Sequence, residues 1–123
     1  MQPPVFTICN ASTAVKALLG ADPVRLYPGG IAPQGVAAPY AVWQTITGQP
    51  DNSFENSAET DDYSVQIDIY AATSADSVAV ARAMRTAFEG SPDSIVVGSQ
   101  PMPRETVTDL FRYMLSVDFI VSS

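Results

Sequence analysis

The sequence predicts an α+β fold: a largely antiparallel sheet of four to five strands with two helices on one face, in the order α-β-β-β-α-β-β. Three stretches carry this expectation. From Asp62 to Ala71, Tyr63, Val65, Ile67 and Ile69 alternate with Ser64, Gln66, Asp68 and Tyr70. Successive strand side chains point to opposite faces, so this is a strand with one dry side and one wetter side. From Leu110 to Val121, the row Tyr113, Leu115, Val117, Phe119, Val121 opposes Arg112, Met114, Ser116, Asp118, Ile120 in the same way. Between them, Ser77, Val80, Ala81, Met84 and Phe88 recur at helical spacing, which makes one apolar stripe fit to lie on a sheet.

The 123 residues read as a single domain, residues 1–123, large enough to bury roughly two-thirds of the surface its unfolded chain exposes. With 46% hydrophobic and 15% charged residues, the composition is that of a globular chain rather than a disordered one. No apolar run approaches a membrane span, and the start Met1-Gln2-Pro3-Pro4 lacks the basic region of a secretory signal, so a soluble, unexported protein is expected.

Taken in order, Pro3 and Pro4 suit the first turn of a helix, where a missing N–H costs no intrahelical bond. Ile8, Ser12, Val15, Leu18 and Leu19 make a stripe at helical spacing, and Gly20 offers a left-handed stop, predicting one helix over about residues 4 to 19. Val24 to Tyr27 reads as a brief strand. Pro28 to Pro39, with three prolines and three glycines, is an irregular and mostly exposed connection. Tyr40 to Gly48 alternates with neither side fully apolar, so both faces of that strand meet something. Residues 49 to 61 form a long acidic connection holding Asp51, Glu55, Glu59 and Asp61, with Phe54 as its large apolar residue and no basic residue. Loops of this length in compact domains are functional or disordered, and both readings stand. Thr73 is placed to cap a second helix over about residues 74 to 89, with Asp76 in its first turn and Gly90-Ser91-Pro92 at its end. Ile95 to Val97 starts a further strand, and Pro101 and Pro103 confine the residues around them to a sheet edge or a turn.

Chemistry is thinly represented. The chain has no histidine, which removes the commonest general base and the commonest transition-metal ligand. Its lone cysteine, Cys9, sits among apolar neighbours, where a buried inert thiol is expected. Nucleophile-elbow, zinc-protease, C-x-x-C, EF-hand and phosphate-loop spacings are all absent. The remaining enzymatic idea pairs Asp68 with Asp118 across the wet face of the sheet, and the remaining metal idea groups Glu59, Asp61 and Asp62. The bland alternative for both is a set of solvated carboxylates, and no catalytic, cofactor-binding or metal-ligating residue is assigned. A formal net charge of −7 repels phosphate backbones, which argues against tight nucleic-acid binding but not against DNA passing close by. Tyr40, Trp43 and Phe54 could stack bases only beside a cationic groove, so core or protein-interface roles suit them better.

Arg25-Leu26-Tyr27-Pro28, Ala32-Pro33-Gln34-Gly35, Pro39-Tyr40-Ala41-Val42, Ile46-Thr47-Gly48 and the run Tyr63 to Ala71 followed by a helix together resemble the tail terminator (tail completion) proteins of long-tailed bacteriophages. The resemblance covers residues 15 to 89 and the strand pair after them; residues 1 to 12 and 49 to 61 match less well. It implies a non-enzymatic structural subunit that forms a six-membered ring on the finished tail tube, ends tube polymerisation and joins the tail to the head connector. The implied partners are other copies of the chain, the tail tube protein and a connector or neck protein, with DNA passing through and no membrane. The implied location is the tail or neck of the virion, reached from the host cytoplasm during assembly. On this reading the face bearing Gln66, Asp68, Ser116 and Asp118, or the acidic loop, lines or rims the channel. Asp51, Phe54, Glu55 and Glu59 would then meet the next subunit or the tube, with Arg82, Arg85 and Arg104 as the cationic side. The alternatives are a neck or head-completion protein one layer higher, and a monomeric ferredoxin-like domain that binds a small ligand or a protein.

Overall fold

The computed structural model of the chain describes residues 4–20, 24–47, 60–92, 94–105 and 109–122. In chain order its elements are α1 (Val5–Asn10), α2 (Thr13–Leu19), β1 (Leu26–Pro28), β2 (Tyr40–Thr47), β3 (Thr60–Ala71), α3 (Ser74–Glu89), β4 (Ser94–Glu105) and β5 (Leu110–Ser122). The five strands form one sheet in the order β1-β2-β3-β5-β4. β1 runs parallel to β2, and every other neighbouring pair is antiparallel. The α+β class, the element order and the edge position of the proline-bearing strand β4 are as the sequence predicts.

One expectation is corrected: the helix anticipated over residues 4 to 19 is two helices with a break at Ala11 and Ser12. Ser12 leaves the helical region (φ −93°, ψ 119°) and its hydroxyl accepts from the Val15 amide at 3.2 Å. A serine that can bond the backbone of the next turn competes with helix continuation and caps a new helix instead. The break resets the buried stripe, which runs through Val5, Cys9, Val15 and Leu19, with Ile8 and Leu18 only partly covered. Gly20 does stop α2 at positive φ (86°), but its ψ of 165° is extended rather than left-handed helical, a region reserved for glycine.

α3 forms where the sequence places it. Thr73 accepts from the Asp76 amide at 3.1 Å, satisfying one orphan donor of the first turn. Its stripe of Ser77, Val80, Ala81, Met84 and Phe88 is buried against the dry rows of β3 and β5, where Val65, Ile67, Ile69, Leu115, Val117 and Phe119 are almost wholly enclosed. Phe88 and Phe119 meet edge to face, with centroids 5.8 Å apart, a favoured aromatic geometry. Each large apolar side chain enclosed in this way contributes about 1.5–3 kcal/mol relative to its exposed state. Ser94 closes the junction of α3 and β4 by donating to the Phe88 carbonyl at 2.7 Å.

All three helices contribute to this core. The opposite face of the sheet is the polar one, and part of it is covered by the segment between β1 and β2. Gly30 donates to the Trp43 carbonyl at 2.9 Å. At φ +73° the Gly30 position favours glycine; the atom nearest to where a Cβ would sit is Gln44 Oε1 at 3.2 Å, the tip of an exposed side chain that can move aside. Arg25 anchors the far end of the segment, its Nε donating to the Pro39 carbonyl at 2.9 Å.

Candidate functional site

Strand parity places Gln66 and Asp68 of β3 and Ser116 and Asp118 of β5 on the face turned away from the core. The register lines them up in rows. Gln44, Gln66, Ser116 and Gly98 share one row, while Val42, Asp68, Met114 and Gln100 share the next. The four residues grouped from the sequence are thus on one surface, though their environments differ.

Asp68 is only 7% exposed. Arg112 donates to its Oδ1 from Nη2 at 2.9 Å and from Nε at 3.2 Å, and the Gln66 amide lies 3.2 Å from both carboxylate oxygens. A sheltered carboxylate held by a guanidinium and an amide is a structural ion pair. Asp118 is exposed and accepts from the Ser64 hydroxyl at 2.9 Å. The anticipated pairing of Asp68 with Asp118 does not form. Asp68 stands opposite Met114 and Asp118 opposite Ser64, so four residues of strand, roughly 13 Å at the usual rise, separate them. Two carboxylates that far apart, each with its own hydrogen-bond partner, do not share a proton.

Arg112 is the member of this site that sequence reasoning did not single out. Its parity with Ser116 and Asp118 was visible, but its meeting with Asp68 depends on the β3–β5 register, which puts the two on a diagonal across neighbouring strands. Beside this pair, Tyr40 and Tyr70 stack with centroids 5.2 Å apart. Val42, on the same wet face, is nevertheless buried at 4%. Gly30, Ala32, Pro33, Gln34, Gly35 and Val36 arch over this corner, leaving an open hollow of about 480 Å³ floored by Tyr40, Val42, Tyr70 and Leu110. Trp43, by contrast, belongs to the core.

The arginines expected at an interface are all exposed. Arg85 bridges to Glu89 one turn later at 3.0 Å, and Arg104 pairs with Asp109 at 3.2 Å; exposed pairs of this kind are worth little. Arg82 lines a notch of about 190 Å³ with Arg85, Ser99 and Tyr113. Asp51, Phe54, Glu55 and Glu59 lie outside the described residues. Among the described residues, no three cysteine or carboxylate side chains converge as a metal set. Burial pushes the Cys9 thiol up to about 12, which keeps it protonated and unreactive at neutral pH. No helix among the described residues is long and apolar enough to cross a membrane.

Among the described residues the arrangement is one of shape and charge rather than of converging reactive groups. The family model described as "Tail completion protein gp17" matches residues 3–122. The chain belongs to the tail completion protein family. This tail completion protein is accordingly a structural component of the phage tail, located in the virion. Among solved structures, a chain from the "Virion of native gene transfer agent (GTA) particle" superposes with a TM-score of 0.58 at 22% identity, over 97% of this chain and 92% of that one. At that identity the likeness speaks for the fold. No curated protein matches the sequence.

Proposed function

We propose that this tail completion protein is a tail terminator: copies of the single domain form a six-membered ring on the finished tail tube, end its polymerisation and present a docking surface to the head connector. The observation that carries this reading is the division of the sheet, with all three helices on one face and a polar face bearing Gln66, Asp68, Ser116 and Asp118 on the other. In the ring the polar face lines the bore. Asp118 supplies exposed negative charge there, while Asp68, sheltered and paired with Arg112, adds no unpaired charge to the wall. A channel wall of that kind lets DNA slide instead of holding it.

A closed ring joins one patch of a subunit to a different patch of its neighbour. Charge complementarity sets Asp51, Glu55 and Glu59 of the acidic connection, together with Phe54, against the arginines of the next copy or against the tube. Arg82 is the first to test, since Arg85 and Arg104 already hold partners within the subunit. Arg82→Glu is expected to weaken assembly while leaving the fold of the monomer intact, and unchanged ring formation would remove this pairing.

The deciding experiment is electron microscopy of particles that lack the protein. Overlong tails support termination. Normal-length tails without heads would instead move the protein to the neck layer, and a protein that stays monomeric on tail tubes would sink the ring altogether.

A further inference from the structure

The margins of the sheet point to how neighbouring copies would join. We propose that successive copies in the ring pair edge to edge, the first half of β4 of one copy adding as an antiparallel strand to the end of β2 that is left uncovered among the described residues of the next, so that the sheets run on from subunit to subunit. This rests on the ring reading and names its interface.

Four observations converge on it. First, β4 is the outermost strand on its side, and its first seven residues, Ser94 to Gln100, contain neither a charge nor a proline. Ile95 and Val97 there are 63% and 57% exposed. Isolated proteins guard a long edge with charge, proline or a covering element; the bulge at Val97 is the only such device in this half. Second, on the far side of the sheet β1 covers β2 only from Ala41 to Trp43. Ala41 donates to Arg25 and Trp43 accepts from Gly30, so residues of this parity turn their backbone groups toward that margin, and by the same alternation Thr45 does too. Among the described residues none continues β1 past this point; Ile46, which sits at a bulge in the β2 ladder comparable to the one at Val97, is 56% exposed.

Third, the two open margins are level with each other. Following the register across the sheet, Thr45 lines up with Val65, Val117 and Val96, and Thr47 with Ser64, Asp118 and Ile95. The covered part of β2 lines up instead with Ser99 to Pro101, next to Pro103, where the missing amides forbid further pairing in any case. Open half therefore meets open half, and blocked half meets blocked half. Fourth, polarity fits. β2 and β4 run in opposite directions within one subunit, being separated by two antiparallel strands. A rotation about an axis parallel to the strands brings β4 of one copy beside β2 of the next as an antiparallel pair, and repeating the same step closes a ring. Such a closed sheet has one inner and one outer surface, which agrees with helices outside and the polar face inside.

The test uses the full chain and two single variants, Ile95→Lys and Ile46→Lys, both at exposed positions and both checked for unchanged far-ultraviolet circular dichroism. Native mass spectrometry and light scattering over a concentration series read the assembly. The unaltered chain is expected to form the closed ring, and each variant to stay monomeric, with association weaker by about tenfold or more. An equimolar mixture of the two variants is expected to stop at a dimer of one copy of each, because only one of the possible joints in it is built from two unaltered margins. A ring that persists in either variant, or a mixture that yields no mixed dimer, overturns the edge pairing and leaves the ring reading standing. An unaltered chain that remains monomeric at every concentration and on isolated tail tubes overturns both.

Discussion

The two faces of the β3–β5 strand pair share a backbone and a register but obey different rules. On the dry face Ile67, Leu115, Val117 and Phe119 are enclosed beneath α3, in one core with buried residues of the N-terminal helices, and their contribution is area removed from water plus close packing. On the wet face the same strands carry Asp68 and Asp118, one sheltered and doubly bonded by Arg112, the other open to solvent. The dry face therefore holds the molecule together, while the wet face is left to vary in what it presents, with the Asp68–Arg112 pair as the point where the two demands meet.

Substitutions can break or sharpen this contrast. Phe119→Ala is expected to cost the most, about 3–5 kcal/mol, because it removes the Phe88 contact and leaves a cavity. Urea denaturation should show it as a large fall in midpoint at an unchanged slope. Asp68→Ala should cost less, about 1–3 kcal/mol, since a sheltered guanidinium loses its counterion; a double variant with Arg112→Met should recover part of that loss, measured as a coupling energy in the same denaturation series. Val42→Ala removes two buried methyl groups beneath the arching segment and should cost about 1.5 kcal/mol, which calorimetry reads as a modest drop in Tm. Asp118→Asn should change stability by less than about 0.5 kcal/mol and leave Tm nearly unmoved. If Asp118→Asn proved as costly as Phe119→Ala, the division of labour between the faces would be wrong.

These differences explain what could be read from the sequence. β3, β5 and α3 were legible to within a residue or two because period and capping agree there: strict alternation in the strands, and Thr73 before a clean helical stripe. The break at Ser12 was not, because Ile8, Ser12 and Val15 keep helical spacing across it, and a serine that caps looks the same in the sequence as one in mid-helix. The parallel partner of β1 was out of reach for a different reason, since pairing between distant segments leaves no local mark on three residues. The candidate site divides similarly. Parity alone put Gln66, Asp68, Ser116 and Asp118 on one face, while the burial of Asp68 depends on Arg112, which only the register delivers. The acidic residues from Asp51 to Glu59 fall outside the described part of the chain, and their role stays with the proposal.

The shortness of β1 has a consequence of its own. Its three residues, with the arch after them, cover one end of β2, and among the described residues no strand covers the other, so the two ends of the domain are unlike. Any assembly that sets such domains side by side in the same sense acquires two unlike rims. Whatever lies against one rim then meets a different chemistry from whatever lies against the other.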